Sequence, residues 1–154
     1  MILSVRLYTD PILKTPCKPI TDFNDPALQE LVSNMIETMG SNNGVGLAAN
    51  QVGVGKSLAI LHLENRTKIL VLVNPKVVAY NKKKIKIVEG CLSCPGLSVN
   101  IKRPISLIVD ANTLSGEEVR YEFTDFDAKI AGHEIDHLNG RTLADTVKKY
   151  VPVL

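Results

Sequence analysis

Apolar residues early in the chain recur at steps of three and four. Leu28, Leu31, Val32, Met35, Ile36 and Met39 form this series, and the period predicts an α-helix with one face turned to a core. Asn24 or Asp25 offers an N-cap, Pro26 suits the first turn, and Gly40 to Gly44 ends the helix. The pattern then changes. Leu58-Ala-Ile-Leu-His-Leu63 and Ile69-Leu-Val-Leu-Val73 are short, apolar and largely branched, as strands are. Asn74-Pro75 interrupts, Lys76-Val-Val-Ala-Tyr80 resumes, and Asn81-Lys-Lys-Lys84 reads as a solvated hairpin turn in preference to an RNA contact. Ile85, Ile87 and Val88, then Val99 and Ile101, then Ile105 to Val109 predict further strands. Ser115-Gly116 fits a turn before the alternating Val119-Arg-Tyr-Glu-Phe123. A second helix follows, capped by Thr124 or Asp125 and ended by Gly140. The outline is α+β: mostly antiparallel β-sheets packed around a central helix, the second one, with one long N-terminal helix. A single domain over residues 1–154 is expected from the length.

Composition narrows the function classes. Hydrophobic residues are 45% and charged residues 22%, ordinary for a globular protein. No apolar run approaches the ~20 residues that span a bilayer, and the first residues lack the features of a signal peptide, so no membrane partner is expected. A net charge of +2 is too small for a DNA-binding domain. Three cysteines argue against a disulfide framework and for a reducing, cytoplasmic compartment. Prolines 11, 16 and 19 mark turns and loops, and Cys17 among them reads as a structural thiol.

The chemistry is densest in His133-Glu-Ile-Asp-His-Leu-Asn-Gly140. On a helix, His133 and His137 share one face a turn of ~5.4 Å apart, and two imidazoles there can hold one metal ion. Glu134 stands beside the first, in reach of a water on that metal. A catalytic site of this kind needs a third protein ligand. A peptidase spacing would put it at position 143, which is Leu. Asp145 is the one ligand-type side chain downstream. Upstream stand His62, which reads as a strand histidine, then Cys91, Cys94 and the remote Cys17. Cys91 is best placed, between Gly90 and a Pro-Gly pair. Cys91 and Cys94 also make a C-x-x-C that could close a Cys₂His₂ zinc site with His133 and His137, although such a site leaves Glu134 idle. Gly44-Val-Gly-Leu-Ala-Ala-Asn-Gln51 matches a dinucleotide fingerprint in spacing only. It follows a helix and leads to a strand, so a Gly-rich strand or loop is expected instead.

Taken together, Gly44–Gln51, Glu89-Gly-Cys-Leu-Ser93 and His133–Gly140 resemble the three signature motifs of peptide deformylases, in that family's order. Leu7-Tyr-Thr-Asp-Pro-Ile-Leu13 and Asn74-Pro75 add to the likeness, which runs from about residue 5 to 146. The resemblance implies a hydrolase that removes the formyl group from the N-terminal formyl-methionine of nascent polypeptides. It implies that Cys91, His133 and His137 bind one divalent metal, that Glu134 is the acid/base, and that Gln51 and the Leu92 backbone N–H hold the formyl oxygen. Gly46 and Val45 would meet the substrate. Fe(II) is the usual native ion, with zinc, nickel or cobalt able to replace it. A monomer in the cytoplasm of a bacterium or a virus-infected cell is expected, because short virus-encoded members look similar.

Three positions depart from the family pattern. Gly132 stands where Gln usually precedes the first histidine, Ser98 replaces a common basic residue, and Lys129 stands where an apolar residue often lines the methionine pocket. The chain stops at Leu154, so the long C-terminal helix associated with ribosome docking is expected to be missing, and Lys148-Lys149 is a poor substitute for it.

Overall fold

Strand β2 (Leu58–Leu63) is buried on both sides, which explains its unbroken apolar run. Leu58 and Ile60 face one layer, with Leu28, Val32, Met35 and Met39 of helix α1 (Pro26–Ser41). Leu61 and Leu63 face the other, with Ala128, Ile130, Ala131 and Ile135 of helix α2 (Asp125–Leu138). The computed structural model describes residues 1–146, and Lys148-Lys149 lies outside the described residues.

The five-stranded sheet between the helices runs β1-β2-β3-β6-β7, with every neighbouring pair antiparallel. Its other strands are β1 (Gly46–Ala48), β3 (Lys68–Tyr80), β6 (Ser106–Asn112) and β7 (Glu118–Thr124). Strands β4 (Lys84–Cys91) and β5 (Cys94–Pro104) pair with each other as a separate ribbon. The α+β class and the antiparallel pairing agree with the sequence reading. The first α-helix starts at Pro26, so it is first in order but not at the N terminus. Residues 1–25 hold extended chain and a 3-10 turn over Pro11–Lys14.

Helix α1 is capped as expected: Asp25 accepts from the Ala27 N–H at 3.0 Å, and Pro26 occupies the first turn. At α2, Thr124 takes the cap position but its side chain makes no capping bond, and Asp125 enters the helix with φ 54°. Asp125 and Asp127 in the first turn complement the positive helix end instead. Gly140, at φ 80°, closes α2: its N–H reaches the His137 carbonyl at 3.0 Å, and Arg141 reaches Asp136 at 2.9 Å.

Two strand readings need correction. Asn74-Pro75 does not divide β3. Asn74 sits at φ 50° in a register shift, and its side chain replaces the lost ladder bonds. It accepts from the Ile20 N–H at 2.8 Å and donates to the Ile20 carbonyl at 2.9 Å and to Asn112 at 3.0 Å. Asn81–Lys84 is not a hairpin turn, because β3 pairs with β6 and β4 with β5; it carries the chain from the sheet to the ribbon. No helix among the described residues is long and apolar enough to cross a membrane.

Candidate metal centre and active site

Helix α2 presents His133, Glu134 and His137, and β4 ends in Cys91 beside them. His137 Nε2 lies 3.2 Å from Cys91 Sγ and 3.2 Å from His133 Nε2. All three donor atoms fall within 4.8 Å of one another. Bond lengths of ~2.3 Å to sulfur and ~2.0–2.1 Å to nitrogen put tetrahedral N···N and N···S edges near ~3.3–3.5 Å. The observed edges fit three corners of such a tetrahedron. Three donor atoms of metal-ligating type converge there, an arrangement that suits a cation.

The alternative third ligands stand elsewhere. Asp145 accepts from the Thr142 N–H at 2.8 Å and is no member of the donor group. Cys94 is buried and also outside that group, as are His62 on β2 and Cys17, which packs with Ala48, Ala59 and Leu138. Burial raises the Cys17 thiol to about 11, in keeping with a structural thiol. The closed Cys₂His₂ arrangement is therefore not formed among the described residues.

The two imidazoles differ in their surroundings. His133 Nδ1 donates to Glu89 at 2.9 Å, which fixes the ring and leaves Nε2 for the donor group. Burial opposes protonation of His133, but the bond to Glu89 and the charges of Glu134 and Glu89 raise its pKa. Burial, and then the neighbouring His133 and Arg103, hold His137 down at about 3, so it stays neutral with a free lone pair. Its carbonyl accepts from Asn50 at 2.6 Å, which ties the end of α2 to the Gly-rich segment.

Glu89 and Arg103 were not singled out from the sequence as site residues. Glu89 is fully buried, and Arg103 grips both its carboxylate oxygens, one through Nη2 at 2.9 Å and the other through Nε. Arg103 also reaches Asp136 of α2 at 3.0 Å. Burial pushes the Glu89 carboxyl up, but the hydrogen bonds and charges of His133 and Arg103 outweigh it and hold it at about 2. Gly132 has a structural counterpart here. A side chain at that position would meet Arg103 Nη1 at 3.2 Å, so the guanidinium fills the space beside α2. Alternation along β4 puts Ile87, Glu89 and Cys91 on one side, a sequence signal for Glu89 beside its place at the head of the Glu89–Ser93 motif. Arg103 needed the ribbon's register.

Glu134 is 2% exposed, and burial raises its carboxyl to about 7. Gly46 makes room for it: a Cβ there would sit 2.5 Å from Glu134 Oε2. Gln51 is buried beside Cys91. Its carbonyl accepts from the Ala48 N–H at 2.9 Å, and its amide donates to Ser93 Oγ at 3.1 Å and Cys91 Sγ at 3.6 Å. A cavity of about 550 Å³ opens over this cluster. Val45, Gly46, Gln51, Cys91, Leu92, His133 and Glu134 all line it, while His137 lies behind. Lys129 and Phe126 line its wall, the ammonium 4.4 Å from the ring centroid.

The chain matches the family model described as polypeptide deformylase over residues 2–152. It is 40% identical over 149 residues to the peptide deformylase of Thermodesulfovibrio yellowstonii, covering 95% of this chain and 89% of the relative. It is 41% identical over 146 residues to peptide deformylase 1 of Vibrio vulnificus, covering 94% and 85%. Among solved structures it resembles a class I type b peptide deformylase from Acinetobacter baumannii bound to Met-Ala-Ser. There the TM-score is 0.90 at 33% identity, with 94% of this chain and 99% of that chain covered.

Proposed function

The chain belongs to the polypeptide deformylase family, and from that premise we propose how its residues divide the work of the reaction. It is a metal-dependent hydrolase that removes the N-formyl group from nascent polypeptides. Cys91, His133 and His137 hold the ion, and their convergence is the observation that carries this reading. One thiolate and two imidazoles suit Fe(II) or Zn(II), and Fe(II) is the native ion by likeness to the family, with nickel and cobalt as substitutes. When bound, the ion would supply positive charge for the developing oxyanion and would ease deprotonation of water near neutral pH.

Glu134 is the acid/base. Its carboxyl, at about 7, is balanced between taking the proton of the attacking water and giving it to the leaving amine. Such transfer contributes typically ~10²–10⁴-fold. The Gln51 amide and the Leu92 N–H hold the oxygen on which negative charge develops. Removing one donor of that kind costs roughly 3–4 kcal/mol of barrier. Gln51 is prepared for this: the Ala48 N–H fixes its carbonyl end, so the NH₂ end points at Cys91.

The nascent chain lies extended along β1, an edge strand of the five-stranded sheet, and its backbone pairs there as an added strand. Its methionine side chain enters the cavity beside Val45, Phe126, Lys129 and Ile130. The Lys129 stem covers apolar wall while its ammonium rests on the Phe126 face. Nascent chains meet the enzyme in the cytoplasm.

The test is formate release from formyl-Met peptides by protein purified anaerobically with its metal site filled. Glu134→Ala should retain the ion and lose turnover, and Cys91→Ser should lose the ion. No release from the fully loaded protein overturns the reading.

A further inference from the structure

Cys94 has no part in the reaction described above, yet it faces the sulfur ligand. Cys91 and Cys94 are Cα partners at the closed end of the β4–β5 ribbon, joined by Leu92 and Ser93. Antiparallel partners stand about 4.5–5.5 Å apart at Cα with side chains on one face, inside the ~4.4–6.8 Å that a disulfide spans. Both line the cavity, but Cys94 is only 1% exposed, whereas Cys91 is half-buried and is the one a small oxidant reaches first. Cys17 packs in a separate cluster.

We propose that Cys91 and Cys94 form an oxidative modification site for hydroperoxides, in which Cys94 captures the sulfenic acid made on Cys91 and a reversible disulfide withdraws the sulfur ligand. This rests on Cys91 being a metal ligand. In the first step the Cys91 thiolate attacks one oxygen of hydrogen peroxide. The S–O bond forms, the O–O bond breaks and hydroxide leaves; sulfur is oxidised by two electrons and the peroxide is reduced. In the second step the Cys94 sulfur attacks Cys91. The S–S bond forms, the S–O bond breaks, and the departing hydroxide leaves as water with the Cys94 proton. A dithiol reverses the change by thiol–disulfide exchange. Without a neighbour to capture it, the sulfenic acid proceeds to sulfinic and sulfonic acids, which ordinary reductants do not restore. Cys94 thus decides whether oxidative loss of the ion is recoverable.

The test uses protein loaded with zinc, which has no redox chemistry of its own. It is treated with hydrogen peroxide, followed by intact mass, peptide mapping and zinc release to a chromophoric chelator. The wild type should lose the mass of two hydrogen atoms, yield a Cys91–Cys94 linked peptide and release its zinc. It should bind zinc again after dithiothreitol. Cys94→Ala and Cys94→Ser should release zinc but add oxygen at Cys91, with at least about tenfold less zinc rebound after reduction. Wild type that accumulates sulfinic acid at Cys91 as fast as the variants overturns the inference, as does a disulfide formed without zinc release. The wild-type peptide map decides the matter by itself if the variants fail to fold. Failure to take up zinc before peroxide overturns the ligand reading, and this inference with it.

Discussion

Glu89 and His133 are joined across the site: Nδ1 of His133 donates to Glu89 Oε1 at 2.9 Å, from a strand of the ribbon to a helix 44 residues away in sequence. This bond selects the tautomer that leaves Nε2 facing the donor group of Cys91 and His137. Glu89→Gln keeps the shape but removes the charge. We expect metal affinity to fall by ~10–100-fold, measured by competition with a chelator of known affinity, while the protein remains folded.

Stability of the metal-free protein should follow the same carboxylate in acid. Glu89 has a folded-state pKa of about 2 against an ordinary value of 4.5. A depressed acid contributes stability above the unfolded value and loses it as pH falls through the folded one. The difference in denaturant midpoint between wild type and Glu89→Gln should therefore shrink between about pH 4.5 and pH 2. A difference that stays constant across this window refutes the assignment.

Arg103→Met removes the other partner. It leaves a fully buried carboxylate with His133 as its remaining partner, and losing one member of a buried pair costs about 3–5 kcal/mol. Urea unfolding of the metal-free protein measures this. Glu89→Gln combined with Arg103→Met should recover part of the loss, because no fully buried charge of the pair remains and Asp136 is partly exposed.

Gly46→Ala tests the space beside the carboxyl of Glu134, the proposed base. Its Cβ would fall 2.5 Å from Glu134 Oε2, so the carboxyl must move. Formate release should drop by at least ~10²-fold, within the range of general acid–base catalysis. Metal content by elemental analysis should be unchanged, since none of the three donors is touched.

Asn74→Ala tests the bulge in β3. It loses three hydrogen bonds to Ile20 and Asn112, and it places alanine at φ 50°. A loss of about 2–4 kcal/mol is expected from the unsatisfied backbone groups and the strain together. Thermal unfolding reads this out.

What the sequence disclosed follows from the range of the interactions involved. The α1 cap at Asp25, the span of β2 and the His133–His137 face are set by residues within a turn or a strand of each other. Cys91 stood out by its placement between Gly90 and a Pro-Gly pair and by the motif resemblance. The unbroken β3 was hidden because Asn74-Pro75 carries a local turn signal, while Ile20 and Asn112, which hold the strand through it, lie 54 and 38 residues away. The ribbon was hidden because four lysine-rich residues read alike whether they reverse a hairpin or cross between sheets. Glu89 stands in its motif without a stated role, and Arg103 looks like an ordinary strand charge, until the register brings the two together. The space that Gly132 leaves for Arg103 depends on that register as well.

The donor group also has a mechanical meaning. Cys91 belongs to the ribbon, and the two histidines belong to α2. An ion held by all three is a cross-link between parts of the chain that no backbone ladder connects among the described residues. At a hundred times its dissociation constant it would add ~2.7 kcal/mol to the folded state. That gain should be spread unevenly: stripping the ion should quicken amide hydrogen exchange in β4 and β5 before it reaches β2 and β3. A chain starved of metal would then become vulnerable to proteases first at Asn81–Lys84, so ion supply would set the protein's lifetime as well as its turnover.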